Sequence, residues 1–215
     1  LGGNRYDVPC PSDVFATPIA NARAAGILTT IASGNEGDKN AIDSPACVPA
    51  AISVGAVYDA GQGDISWSNC TDRNTQADQV TCFSNSADFL TLLAPGALIT
   101  AAGATMGGTS QATPHVAGAI AVLRAAYPSE SLDAIIARFS NNGVLVTDTN
   151  GVIKPRIDLL SAYTANRAAY ALMVNKAGTG GGTVSSTPVG IDCGSQCRAG
   201  FAAGTAVNLI AAPNP

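Results

Sequence analysis

Gly107-Gly108-Thr109-Ser110-Gln111-Ala112-Thr113-Pro114-His115-Val116-Ala117-Gly118 is the stretch from which the rest of the chain can be read. Its two glycines let the backbone bend tightly and leave room in front of the residue that follows. From Thr109 to Tyr127 the residues are apolar or small on all sides, which predicts a helix buried in the centre of a domain. Pro114 falls within the first turns, where early amides lack intrahelical partners, so it does not break that helix. Ser110 then stands at the helix N-terminus, where backbone amides and the helix dipole favour negative charge near its oxygen. Acyl transfer generates an oxyanion at such a place, so Ser110 is a candidate nucleophile.

Upstream, Ser12 and Asp13 are expected to cap a helix running through Ala16, Ile19, Ala20, Ala22 and Ala25, with Gly26 ending it. Ile27 to Ala32 and Ala51 to Val57 are short apolar runs of buried-strand type, separated by Ser33-Gly34-Asn35 and a proline-rich stretch. Tyr58 to Asp88 is polar and turn-rich. Phe89 to Leu93 is a further strand candidate, stopped by Ala94-Pro95-Gly96. Beyond the central helix, Pro128 is a stop and Ser129 a cap. The next helix presents Leu132, Ile135, Ile136 and Phe139 to the core and closes at Asn141-Asn142-Gly143. Strands alternating with helices predict an α/β fold: an incomplete parallel sheet with flanking and central helices.

After Ala165 the texture changes. Gly178 to Gly182 is nearly all glycine, and short β-type runs follow at Thr183-Val184 and Ala206 to Ile210. The expected organisation is one domain over residues 1–165 and a small partial β module over 172–215. Leu1-Gly2-Gly3 reads as the tail of a strand entering a glycine turn, and the module stops without a closing strand, so a longer polypeptide is expected.

Composition excludes several classes. The 215 residues are 47% hydrophobic and 12% charged, far from a disordered chain. A net charge of −4 gives no basic groove for nucleic acid and no polybasic run for an anionic membrane. No apolar stretch approaches the roughly 18 residues needed to span a bilayer. Six cysteines, at 10, 47, 70, 82, 193 and 197, point to disulfides and an oxidising compartment. The expected pairs are sequence neighbours: Cys10–Cys47, Cys70–Cys82 and Cys193–Cys197. Zinc is the competing use, but the first four cysteines lack C-x₂-C spacing and the single histidine lies in the Ser110 helix.

The segment around Ser110 resembles the nucleophile motif of the subtilisin-like serine peptidases, G-T-S-x-A-x-P-H-V-A-G, at every fixed position. Ala32-Ser33-Gly34-Asn35-Glu36-Gly37 resembles that family's strand-end loop, which implies that Asn35 donates to the oxyanion. Leu1-Gly2-Gly3 is similar to the family's S-L-G-G segment, which pairs with substrate backbone. With Ser33 and Gly34 it would wall the primary specificity pocket. Glu36 would stand at the rim of that pocket, and Ser44-Pro45-Ala46 resembles a cis-proline turn beside it. The likeness covers about residues 1–160. Residues 172–215 resemble part of the small β modules appended to bacterial surface and secreted proteins.

What the motif lacks is equally informative. His115 is the only histidine. It lies five residues beyond Ser110 on one helix, about 140° round the axis and ~7.5 Å along it, so it is read as a structural residue. In the family the catalytic Asp and His precede the Ser, and neither D-[ST]-G nor H-G-T-H occurs here. Asp7, Asp13, Asp38 and Asp43 are read as solvated loop residues. Sedolisins pair their serine with Glu and Asp, but their helix motif departs from P-H-V-A-G. The resemblance therefore implies an endopeptidase acting on protein or peptide substrates, present here without its catalytic Asp and His and inactive alone. The competing function is a non-catalytic binding or adhesion protein on a degenerate scaffold. The family implies calcium as a possible cofactor, with no ligands assignable here. A secreted, bacterial, monomeric protein is expected.

Gln111 fills the place after the nucleophile, where a methionine would be open to oxidation. Activity carried by Ser110 should therefore persist in mild hydrogen peroxide. Rapid inactivation there would contradict this expectation.

Overall fold

The two apolar runs that flank Pro45 and Pro49 become neighbouring strands. The computed structural model describes residues 2–165, 169–178, 180–194, 197–202 and 205–214. In it, β1 (Thr30–Ala32) lies parallel to β2 (Ile52–Val57), and β2 lies parallel to β3 (Leu92–Pro95). Two later strands, β4 (Val144–Thr147) and β5 (Ile153–Arg156), form a hairpin whose β5 joins β3 in parallel. The five-stranded order is β4-β5-β3-β2-β1. The α/β expectation with a parallel-containing central sheet is met.

A parallel sheet needs cover on both faces, and all six residues of β2 are buried. Alternation along the strand divides them. Ile52, Val54 and Ala56 pack with Ala112, Val116 and Leu123 of α2 (Thr109–Ala126) and with Ile135 and Phe139 of α3 (Leu132–Asn142). On the other face Val57 and Leu93 pack with Ile42, Cys47, Val48, Val146 and Ile19, the last from α1 (Ala16–Ala24). A short helix, α4 (Leu159–Thr164), follows β5.

Local expectations are corrected in four places. The Thr109 helix is not buried all round: Ala112, Val116, Ala119, Ile120 and Leu123 meet the core, while Ala117, Gly118, Ala121 and Val122 are exposed. All-round small residues permit burial on every face, but the described elements pack against one. The third strand starts at Leu92, because Ala87 to Leu90 turn first, and it runs through Ala94 and Pro95. Proline at the strand's last position removes only a terminal ladder bond. Ser12 and Asp13 do not cap α1, whose N-cap is Phe15; Asp13 Oδ1 instead accepts the Phe15 amide at 2.9 Å, ahead of the helix. The cap of α3 is Ser131 rather than Ser129, its hydroxyl accepting the Ala134 amide at 3.2 Å.

One charged side chain of α3 is buried and fully engaged. Arg138 forms a bidentate pair with Glu130 at 2.8 and 2.6 Å, donates to the Ala162 carbonyl and lies 3.5 Å from the Tyr127 ring centre. That fork holds the Glu130 carboxyl below its ordinary range and the guanidinium above its own.

The chain divides into two compact units, Leu1–Tyr163 and Thr164–Pro215. The second consists of two antiparallel pairs. One joins β6 (Ala169–Met173) to β8 (Arg198–Ala202); the other joins β7 (Gly182–Thr187) to β9 (Asn208–Pro213). Ile191 and Cys193 are buried there. All three expected disulfides form, Cys10–Cys47, Cys70–Cys82 and Cys193–Cys197, which leaves no thiolate for zinc. No described helix is long and apolar enough to cross a membrane.

The polar loops of the first unit are fastened by an internal cation. Lys39 Nζ donates to the carbonyls of Thr81 and Ser84 at 3.3 and 3.0 Å and to the buried Asp148 carboxylate at 3.2 Å. Lys39→Met takes the counter-charge from a buried carboxylate that keeps only its Thr149 hydrogen bonds, which should cost about 3 kcal/mol. A urea unfolding midpoint indistinguishable from wild type would refute that assignment.

Candidate active site

The turn before the nucleophile rests on a tryptophan. A Cβ added at Gly107 would fall 2.2 and 2.3 Å from atoms of the Trp67 ring, so only glycine fits. Trp67 is itself fixed. Its Nε1 donates to Tyr58 Oη at 2.9 Å, Tyr58 donates to Asp72 Oδ2 at 2.8 Å, and the indole meets Phe83 edge-on at 4.8 Å. Burial, ahead of its other influences, pushes the Tyr58 hydroxyl's pKa well up, so it remains a donor. Gly108 donates to the Gly96 carbonyl at 2.8 Å, tying the turn to the end of β3. Ser110 then emerges, exposed, in a depression of about 440 Å³ lined by Ile99, Thr100, Ala101, Gln111, Pro114 and His115.

Asn35 is joined to the same helix. Its Oδ1 accepts from the Thr109 amide at 2.8 Å and from Thr109 Oγ1 at 3.0 Å. Because the amide can only donate, the carboxamide oxygen must face it, and the side-chain NH₂ is turned the other way. That NH₂ donates to no described group. The Ser110 amide, in the first turn of α2, has no intrahelical acceptor either. The arrangement therefore offers two unspent donors beside an exposed hydroxyl, which is what stabilising a tetrahedral oxyanion requires.

The predicted substrate-binding residues gather around one buried carboxylate, that of Asp43. Ser33 is fully buried, its hydroxyl donating to the Asn85 carbonyl at 2.9 Å. Gly34 has φ +111°, a conformation that favours glycine, and an added Cβ would meet Asn85 Nδ2 at 2.2 Å and the Asp43 carboxyl at 2.7 Å. Gly3 donates to the Ser44 carbonyl at 2.9 Å, and a Cβ at Gly2 would lie 3.1 Å from Asp43 Oδ2. Gly2 and Gly34 thus flank one carboxylate. Leu1 lies outside the described residues. The Ser44-Pro45 bond is cis, as the resemblance implied.

Asp43 is a correction: read as a solvated loop residue, it is 6% exposed in a short antiparallel bridge, Ile42–Asp43 against Arg5–Tyr6. Asn85 Nδ2 donates both to Asp43 Oδ1 at 3.2 Å and to Glu36 Oε2 at 2.7 Å. Asn85 Oδ1 accepts the Glu36 and Asp38 amides at 3.2 and 2.9 Å. Glu36 is exposed. Sequence reasoning missed Asn85 and the tie made by Thr109; nothing marks a lone asparagine in a polar stretch as a junction.

Several tempting residues are not assembled with Ser110. His115 Nδ1 lies 2.9 Å from the Gln111 carbonyl, and since a carbonyl only accepts, Nδ1 carries the proton there. Asp38 pairs with Arg5 at 3.3 Å, and Asp13 accepts the Ser44 hydroxyl at 2.5 Å, which, ahead of the Phe15 amide, holds its carboxyl below the usual range. Cys10, Asp13 and Cys47 cluster, but the two sulfurs are bonded to each other and one carboxylate falls short of the about six to eight oxygens calcium takes. A sulfur does lie near Gln111: the exposed Met106, with Sδ 3.9 Å from Gln111 Nε2.

A family model described as the subtilase family matches residues 4–186. A subtilisin of Bacillus pumilus is 35% identical over 178 residues, covering 79% of this chain and 50% of the relative. A subtilisin-like protease 2 of Arthroderma otae is 36% identical over 134 residues, 59% of this chain and 28% of the relative. The chain thus spans half or less of the length of these curated relatives. Among solved structures, a protease of Pseudoalteromonas arctica aligns with a TM-score of 0.57 at 24% identity, over 77% of this chain and 49% of that one, a likeness of fold.

Burial first, and then the charge and carboxyl of Glu36, push the Asp43 pKa up to about 6 against the pull of Arg5 and Asn85. The folded protein then holds this proton more tightly than the unfolded chain, whose pKa is near 3.8. The contribution to stability is present below pH 3.8 and is lost as pH rises through about 6. Asp43→Asn removes that loss. Its urea midpoint should gain on wild type between about pH 4 and about pH 7.5; a constant difference would contradict the assignment.

Proposed function

Because this chain belongs to the subtilase family, we propose that it carries the nucleophile and oxyanion side of a secreted serine endopeptidase. Ser110 Oγ attacks the scissile carbonyl of a protein or peptide substrate. The developing oxyanion is held by the Asn35 side-chain NH₂ and the Ser110 amide, the amine leaves, and water hydrolyses the acyl-enzyme. The observation that carries this reading is the Thr109 amide on Asn35 Oδ1 at 2.8 Å, which turns the carboxamide's donor face away from the helix that bears Ser110.

Ser110 also needs a base. His115 is engaged with its own helix and is the only histidine in the chain. The base and its aspartate are therefore supplied by polypeptide outside these residues, in the family's order Asp, His, Ser. Three disulfides support an oxidising, extracellular setting. The second unit is read as a β-rich extension that tethers or spaces the peptidase domain. No metal enters any step.

The full-length gene product should be labelled by a fluorophosphonate probe at Ser110, and Ser110→Ala should abolish labelling. Asn35→Leu should slow turnover by about 10²–10³, a magnitude taken from subtilisin, a member of this family, rather than from this geometry. A folded full-length protein that resists the probe would refute the reading and favour a non-catalytic binding protein.

A further inference from the structure

Resting on that reading, we infer that Asn69 is a positioning residue for catalysis: it holds the backbone of the oxyanion donor Asn35, and the Cys70–Cys82 bridge holds Asn69. Asn35 is exposed, so packing does not fix it, and its side-chain NH₂ is useful only in one place and orientation. Hydrogen bonds take over that task. Oδ1 accepts the Thr109 amide and hydroxyl, and the Asn35 amide donates to Glu36 Oε2 at 3.0 Å. The Asn35 carbonyl accepts Asn69 Nδ2, also at 3.0 Å. Since a carbonyl can only accept, the NH₂ end of the Asn69 carboxamide is the one that faces it. Every polar group of Asn35 except its own NH₂ is thereby spent. Thr109 fixes the end of the side chain, and Asn69 fixes the peptide plane just beyond its Cα.

Asn69 stands at the tip of an antiparallel hairpin, Gly63–Ser66 against Thr71–Thr75, that has no part in the central sheet. The Trp67 amide donates to the Cys70 carbonyl at 2.8 Å and closes the tip. Next to Asn69, Cys70 is bonded to Cys82, and next to Cys82 the Phe83 carbonyl accepts the Gly37 amide at 2.8 Å. These contacts form a closed ring. It runs from Asn35 to Gly37, across to Phe83 and Cys82, over the disulfide to Cys70 and Asn69, and back to the Asn35 carbonyl. The covalent bridge limits how far apart the two groups that grip the loop can move. Gly37 suits the ring as glycine: its φ is +77°, and an added Cβ would meet the Cys82 carbonyl oxygen at 2.8 Å. The same tip carries Trp67, whose ring shapes the Gly107 turn. One hairpin tip therefore supports both the residue that donates to the oxyanion and the turn that presents Ser110.

Steady-state kinetics of the full-length protein on a chromogenic peptide anilide test this. Asn69→Ala should lower kcat about tenfold and change KM by less than about twofold, because a loosened oxyanion donor is missed in the transition state rather than in the bound substrate. In an Asn35→Leu background the same substitution should cost less than about twofold, since the group it positions is gone. That contrast separates positioning from a folding defect, which would slow both backgrounds alike. Cys70→Ser combined with Cys82→Ser should also lower kcat, and adding Asn69→Ala to that pair should cost less than about twofold more. Wild-type kcat in Asn69→Ala, a change confined to KM, or an equal loss with and without Asn35 overturns the inference and leaves the peptidase reading standing. Wild-type kcat in the double cysteine variant overturns the part given to the bridge. A full-length protein that neither cleaves the anilide nor reacts with fluorophosphonate removes the peptidase reading, and the positioning role with it.

Discussion

The carboxamide of Asn85 is the junction on which the reactive region hangs. Fully buried, it makes four side-chain hydrogen bonds, to Glu36 twice, Asp38 and Asp43, and its backbone serves the Ser33 hydroxyl and the Gly34 carbonyl. Leaving any of these buried groups unpaired would cost about 1–3 kcal/mol, so the loop from Ser33 to Asp38 has one strongly preferred conformation. That conformation delivers Asn35 Oδ1 to the Thr109 amide. The loop and α2, far apart in sequence, are thereby positioned as one rigid piece on the carboxyl ends of β1 and β2.

A second support comes from below. The Trp67 ring lies where any side chain at Gly107 would be, and the Tyr58–Asp72 hydrogen bond fixes the indole through its nitrogen. The glycine turn is shaped from one side by packing and from the other by the Gly96 carbonyl. The geometry of the nucleophile is thus set by contacts none of which involves Ser110 itself, as a preorganised site requires.

Much of this was legible in the sequence, for identifiable reasons. Ser110 and Asn35 stand in local patterns whose backbone chemistry can be argued residue by residue, and the buried strand Ile52–Val57 is apolar enough to be seen without partners. The three disulfides were legible because each joins cysteines adjacent in sequence order. Asp43 was not. A carboxylate before Ser-Pro looks like a turn residue, and its burial comes from Gly2 and Gly34, contacts across many residues. Asn85 carries no local signal, because the three residues its side chain bonds lie 42 to 49 positions upstream. The α2 helix shows the converse limit: composition told which residues could be buried, and only the tertiary packing decided which were. Cap positions slipped by a few residues because Ser12, Asp13, Ser129 and Ser131 are chemically interchangeable as caps until the helix axis is placed.

The three disulfides have a topological property of their own. Their spans, 10 to 47, 70 to 82 and 193 to 197, neither interleave nor nest. Each can therefore close within its own segment, whatever the state of the other two. Chain-closure entropy favours the 12-residue span over the 37-residue one by only about 1 kcal/mol. In so serial an arrangement each bridge constrains its own segment alone, so reducing one leaves the other two loops closed.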